Sequence, residues 1–354
     1  MSEIVSPRAA VQRMAAYVPP TERREGKLRL DFNENTVGCS PRVAEFLSEV
    51  VTREKIAVYP EYSAARAELA TNFAVRREEI LLTNGTDEAI QILINTYVDP
   101  GDEVIILHPS YAMYRFYAEV AGASLIQLAY RADTLAFPFE EILNAISPRT
   151  RAILLSNPNN PTGTAIAIEQ VAEIVQRAPG AVVLVDEAYY EFYGLTALPL
   201  LSQHPNLFVS RTFSKAYGMA GLRLGCLFSD ARNLVSVHKA QSPYSVNILA
   251  AMAARVAITD YGYIKNYVGE VLAARDLLVG GLKELGISFH DSAGNFVLMR
   301  LGERAGPVRD QMRKAGVLVR DRSHEIPGTL RVTVGTRQQM ERFLTELKRI
   351  LGNS

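Results

Sequence analysis

Tryptophan is absent from this chain, and cysteine occurs only at Cys39 and Cys226. Two cysteines so far apart, in no metal-type spacing, argue against a disulfide framework and a zinc site, and fit a reducing cytoplasm. An excess of one charge is missing too: 38 Lys and Arg stand against 38 Asp and Glu. A chain built to live on nucleic acid carries a basic surplus, so this balance argues against that role. No apolar run reaches the roughly 18 residues of a membrane span. The opening MSEIVSPRAAVQRM has no apolar core of a secretory signal, and none is expected. Internal repeats and low-complexity tracts are also missing. What remains is 354 residues, 48% apolar and 21% charged, the make-up of an ordinary globular protein. That length implies one large domain and a smaller one.

Between roughly residues 79 and 228, short β-branched runs recur: EEILLTNG, DEVIILHP, ASLIQLAY, TRAILLSN, AVVLVDEA, NLFVSRTF and LRLGCLFS. Several are apolar without strict alternation, as strands buried on both faces should be. Helical patterns such as DEAIQILINTYV and AIEQVAEIVQRA separate many of them. The alternation predicts a mainly parallel sheet of seven strands with helices on both faces. A long helix is expected from about Tyr261 to Leu285. Beyond it, ISFHDS, NFVLMRL, GVLVRDR and TLRVTVG read as strands and PVRDQMRKAG and RQQMERFLTELKRIL as helices, an α+β layout. The expected division is a large α/β domain over 41–260 and a small one over 261–354. Residues 1–40, with Pro19 and Pro20, lack a period and read as an arm packing across domains or subunits.

Ligands of open α/β sheets collect at the carboxyl ends of strands. After EEILLT, NGTDEAI makes a glycine turn into a helix, with Thr86 or Asp87 as its cap, and so a ready anion site. The pattern of a P-loop is absent. After TRAILLS, the two X-Pro steps of NPNNPTG make a rigid loop that holds an amide in place. After AVVLV come Asp186 and Glu187, and a carboxylate at a buried strand end needs a cationic or hydrogen-bonding partner. After NLFVS, the stretch RTFSKAYGMAGLRLG brings Thr212, Ser214, Lys215 and Arg223 together on a glycine-rich bend. Arg223 suits a phosphate. Lys215 is either another phosphate ligand or a nucleophilic amine, its pKa lowered by burial beside Arg223. An anion-binding helix start, a fixed amide, a strand-end carboxylate, an amine and an arginine together suit pyridoxal 5′-phosphate.

LDFNEN, VYPEYS, NGTDEAI, PSYAMY, NPNNPTG, VDEAYYEF, RTFSKAYGMAGLRLG, VRDRS and LRVTVGT run in one order from residue 30 to residue 336. On these segments the chain resembles the fold-type I, pyridoxal-phosphate-dependent aminotransferases of class I/II, and within them the histidinol-phosphate aminotransferase branch. The resemblance implies the aspartate-aminotransferase-like α/β fold. It makes Lys215 the Schiff-base lysine and proton carrier and Asp186 the partner of the pyridine nitrogen. Asn160 and Tyr189 would bind the ring hydroxyl, and Tyr111 would stack on the ring. Gly85, Thr86 and Asp87, with Thr212, Ser214 and Arg223, would hold the phosphate. Tyr59 would reach it from the second subunit of a homodimer with shared sites. Arg331 and Arg320 match the arginines that grip the substrate's anionic end, and Asn33 and Glu34 lie where its side chain is contacted. No metal is expected.

One stretch departs from the family pattern. After NEN the chain reads TVGCSP, with Thr36 and Cys39 where two prolines are usual, on the border of the substrate pocket. The implied reaction is amino transfer from histidinol phosphate to 2-oxoglutarate. Aromatic amino-acid transamination and, more distantly, phosphothreonine-type decarboxylation are its rivals. A non-catalytic phosphate-binding module leaves Lys215, Asp186 and Asn160 unexplained as a set.

Overall fold

A computed structural model describes residues 5–16 and 24–352. Pro19 and Pro20 lie outside them. The seven expected runs are all strands: β2 (Ile80–Thr83), β3 (Glu103–His108), β4 (Ser124–Ala129), β5 (Thr150–Ser156), β6 (Val182–Asp186), β7 (Leu207–Thr212) and β8 (Gly225–Ser229). They form one sheet in the order β2-β8-β7-β6-β5-β3-β4. β3 to β7 pair in parallel, while β8 runs antiparallel to both its neighbours. Every residue of β6, β7 and β8 is buried, which accounts for the apolar runs VVLV, LFV and CLF without polar alternation, and leaves Asp186, Ser210, Arg211, Thr212 and Ser229 buried as well. One face packs on a core that includes Ile153, Val183 and Phe228, the other on Leu154, Leu184 and Phe208, three residues in register across β5, β6 and β7. Alternation of side chains along each strand makes both cores.

The second sheet runs β1-β11-β12-β10-β9, with β9 (Phe289–His290), β10 (Phe296–Arg300), β11 (Val317–Asp321) and β12 (Thr329–Thr333). Its edge strand β1 (Leu28–Leu30) comes from the stretch that showed no period, and it pairs in parallel with β11. A helix of 24 residues, Tyr261–Glu284, leads from the large sheet's side of the molecule into this sheet's core. Among the described residues no helix is long and apolar enough to cross a membrane.

One capping expectation fails. The helix after β2 begins at Gly85, so Asn84 is its N-cap and Thr86 and Asp87 fall in its first turn. The cause is Gly85 itself, whose φ of +73° lets the chain turn before Thr86 is reached.

Candidate active site

Three strand ends of the large sheet and one strand of the small sheet converge. Asp186 ends β6 beside Ser210 of β7. It is 3% exposed, and its two oxygens accept from Tyr114 Oη and Ser210 Oγ, each at 2.9 Å. Burial pushes its carboxyl up to about 6 against the pull of those bonds. It has these two neutral side-chain donors, with the Ala188 N–H beside them, and no cationic partner among the described residues.

Lys215 follows β7. Its Nζ donates to the Phe32 carbonyl at 2.9 Å and lies 5.9 Å from the centre of the Tyr189 ring. Its pKa is lowered to about 8, first by burial and next by the Arg331 charge, with Arg223 a smaller contributor and Glu34 opposing. Tyr189 is buried, and its hydroxyl accepts from Asn33 Nδ2 at 2.9 Å.

Asn33 is reached from β12. Arg331 and Thr333 are two apart on that strand and share a face. Thr333 Oγ1 accepts from the Asn33 N–H at 2.9 Å, and Arg331 Nη2 donates to the Asp31 carbonyl at 2.6 Å. Arg331 Nη1 donates to Asn160 Oδ1, so the small sheet is joined to the NPNNPTG loop. The arginine is 4% exposed and burial lowers its pKa to about 10. Arg320 pairs with Arg331 across β11 and β12, and its guanidinium sits 5.6 Å from the Phe32 ring centre.

A second knot lies at the start of the helix Gly85–Tyr97. Arg223 Nη2 donates to Asp87 Oδ2 at 3.2 Å, and Nη1 lies 3.5 Å from Ser214 Oγ. Tyr111 Oη donates to Asp87 Oδ1 at 2.6 Å, and its ring meets Tyr114 edge-on at 5.7 Å. Thr212 Oγ1 accepts from the Ser214 N–H. A Cβ on Gly85 would stand 2.5 Å from Arg223 Nη2, so the cradle closes around a bare backbone. Arg223 itself takes a left-handed φ of +57°.

The structure thus brings together Gly85, Thr86, Asp87, Tyr111, Asn160, Asp186, Tyr189, Thr212, Ser214, Lys215, Arg223, Arg331 and Asn33. Two predicted residues stand differently. Tyr59 is 78% exposed and stacks on Tyr244 at 4.5 Å, away from the Arg223 knot. Glu34 is held by Arg24, whose Nη1 and Nη2 donate to its two oxygens at 3.2 and 2.7 Å. Arg24 also pairs with Asp31 and lies 4.4 Å over the Phe32 ring. Sequence reasoning missed Arg24, and nothing local to it carries a signal. It also missed Tyr114 and Ser210 as the donors to Asp186. Ser210 was within reach, because a serine in the parallel strand beside a strand-end carboxylate is a natural donor.

These residues fit pyridoxal phosphate on their own chemistry. A buried carboxylate without a cationic partner suits a ring N–H. An amine with a lowered pKa suits an aldehyde. A helix start, a serine, a threonine and an arginine around a bare glycine suit a phosphate. Fold and donor set define the class, a pyridoxal-phosphate-dependent transferase of the aspartate-aminotransferase-like fold. The model of the family "Aminotransferase class I and II" matches residues 25–347, and the chain belongs to that family. The chain is 36% identical to a histidinol-phosphate aminotransferase of Symbiobacterium thermophilum, covering 98% of this chain and 99% of that protein. It is also 36% identical to histidinol-phosphate aminotransferase 2 of Carboxydothermus hydrogenoformans, over 97% and 99%. In fold it is similar to the Sinorhizobium meliloti histidinol-phosphate aminotransferase solved with pyridoxal-5′-phosphate, at TM-score 0.90 and 23% identity, covering 99% of each chain.

Proposed function

We propose that the chain transfers the amino group of histidinol phosphate to 2-oxoglutarate. The observation that carries this reading is the pairing of Arg320 with Arg331 beside Lys215. Two guanidiniums at one end of the pocket suit a phosphate monoester, and a planar fork also suits the carboxylate of glutamate. One site can therefore serve both half-reactions. Names of relatives at 36% identity point the same way.

Asp186, Asn160, Tyr189 and Tyr111 hold the cofactor ring, and Gly85, Thr86, Asp87, Thr212, Ser214 and Arg223 hold its phosphate. Bound there, pyridoxal phosphate supplies an aldehyde that accepts the amino group and a ring that withdraws electrons from the substrate carbon. Asp186 keeps the ring nitrogen protonated, and a cation against it brings its own pKa back down. Lys215 is neutral in a useful fraction near its pKa of about 8 and moves the proton at the substrate carbon. Arg331 and Arg320 fix the anionic end, while Asn33 and Glu34 face the side chain. Tyr59 is too exposed to serve its own chain's pocket, which supports its use by the second subunit of a homodimer. Residues 41–260 form the cofactor domain and 261–354 the small domain, with the arm 1–40 lending β1 to it, in a cytoplasmic enzyme.

A donor screen with 2-oxoglutarate tests the substrate. Histidinol phosphate should exceed phenylalanine and tyrosine in kcat/KM by more than tenfold. A preference for the aromatic amino acids would end this reading while leaving the aminotransferase chemistry intact.

A further inference from the structure

The segment VRDRS holds two arginines, and the site described so far uses only the first. Arg320 and Arg322 are two apart, so their side chains leave the chain on one face. The ladder continues past the end of β11. Arg320 lies opposite Arg331, and the Arg322 N–H donates to the Thr329 carbonyl at 3.0 Å. Arg320, Arg322, Arg331 and Thr333 therefore share the face of the small sheet that meets Asn33 and Asn160.

The turn from Arg322 to Thr329 keeps that side chain inward. The Arg322 carbonyl accepts from the Glu325 and Ile326 N–H groups, both at 2.9 Å, and Thr329 Oγ1 donates to the Ile326 carbonyl at 2.8 Å. Buried Ile326 joins the core of the large-sheet side, so the turn bridges the two sheets where the site lies. The Arg322 side chain is 11% exposed, and its Nη2 pairs with the Glu325 carboxylate. Its charge reaches the pocket. Burial is the first cause of the lowered Arg331 pKa, and among the cations acting on it Arg322 comes ahead of Arg320. Burial raises the Tyr189 pKa, and the Arg331 and Arg322 charges oppose it.

The anionic end of the pocket thus feels three guanidiniums and the carboxylate of Glu325. If histidinol phosphate is the donor, as proposed above, that end takes a phosphate in one half-reaction and a carboxylate in the other. At pH 8 a phosphate monoester is a dianion, because its second pKa is about 6. A carboxylate carries one charge. A fixed charge acts on a dianion with twice the energy it exerts on a monoanion in the same place. The forks of Arg320 and Arg331 fit either group. A third cation adds charge without adding a fork, and so weights the site toward the dianion. Glu325 lowers the cost of burying that cation and holds it in place.

We propose that Arg322, held by Glu325, is a specificity-determining residue that sets the preference for a phosphate over a carboxylate or a hydroxyl at the substrate's anionic end.

Histidinol, with a hydroxyl in place of the phosphate, isolates that end. Cofactor-loaded enzyme is mixed at pH 8 with histidinol phosphate, glutamate or histidinol, and the change in cofactor absorbance gives the second-order rate constant for each donor. Arg322→Gln should lower it about tenfold to thirtyfold for histidinol phosphate and, by the halved charge, about threefold to fivefold for glutamate. For histidinol the change should stay under about twofold. Arg322→Lys keeps the charge and should hold histidinol phosphate within about threefold of the parent. Glu325→Gln removes the opposing charge and should raise the preference for histidinol phosphate over histidinol by about twofold or more. Equal losses for all three donors, an Arg322→Lys loss as large as that of Arg322→Gln, or a lower preference in Glu325→Gln overturns the role of Arg322. A parent enzyme that favours aromatic amino acids over histidinol phosphate ends the substrate reading instead, and does so before any variant is compared.

Discussion

The titration of Lys215 offers the sharpest test of the site. Burial disfavours a charged amine, and the neighbouring Arg331 charge adds to it, so the pKa falls from 10.5 to about 8. An amine of pKa about 8 is roughly 10% neutral at pH 7 and roughly 90% neutral at pH 9, whereas an ordinary lysine goes from about 0.03% to about 3%. Covalent capture of pyridoxal phosphate needs the neutral form. Capture by the cofactor-free protein should therefore speed up about tenfold from pH 7 to pH 9 and then level off. The assay is rapid mixing with limiting cofactor, read by absorbance, with borohydride trapping and peptide mass to place the bond at Lys215. Arg331→Met removes the second cause of the shift and should move the levelling-off to higher pH. A rate that climbs about a hundredfold without levelling, as an unperturbed lysine requires, would refute the electrostatic account. A trapped bond at any other lysine would refute the assignment itself.

Asp186→Asn should retain cofactor but lose roughly 10² to 10³ in kcat, because a neutral amide cannot keep the ring nitrogen protonated; steady-state turnover of the cofactor-loaded variant reads it. Gly85→Ala forces a side chain into φ +73° with its Cβ 2.5 Å from Arg223 Nη2. It should loosen the phosphate cradle by about 1–2 kcal/mol, or roughly tenfold in cofactor dissociation followed by dialysis and absorbance. Arg24→Gln releases Glu34 from its fork, so KM for histidinol phosphate should rise roughly threefold to tenfold. KM for 2-oxoglutarate should stay put, and equal shifts in both would remove Glu34 from the donor's side chain.

The large sheet was legible because most of its central strands are buried on both faces and so open on apolar runs without strict alternation, while the exposed edge strand β4 was legible from its place in the strand–helix rhythm. The site was legible in part for a related reason. Asp186, Lys215 and Asn160 are chemically expensive where strands end, and expensive residues stand out. Contacts that depend on distant segments left no mark. β1 is three residues long and exists only by pairing with β11, 289 positions later at Leu28 and Val317. Arg24 left none either, although Asp31, Phe32 and Glu34 lie within ten residues of it, because the bend that folds them round its guanidinium follows from β1 pairing with the distant β11. Thr86 and Asp87 looked like caps because their residue types favour that place, but the left-handed freedom of Gly85 moved the helix start before them.

The departure at Thr36 and Cys39 has a physical substitute within the same loop. Where prolines would stiffen the chain by fixing φ, here Asn35 does so by hydrogen bonding. Its Oδ1 accepts from the Val37 and Gly38 N–H groups, both at 2.9 Å, and its Nδ2 donates to the Ala216 carbonyl at 3.0 Å. Asn35 is 5% exposed, and its bond to Ala216 is buried while those to Val37 and Gly38 are partly so. Gly218 closes the arrangement, since a Cβ there would stand 2.5 Å from the Gly38 oxygen. The loop bordering the substrate is therefore tied directly to the residue after Lys215. Prolines would make the loop rigid on its own. Asn35 instead makes its shape depend on the segment carrying the reactive amine, so the pocket wall and the lysine are positioned by one set of bonds.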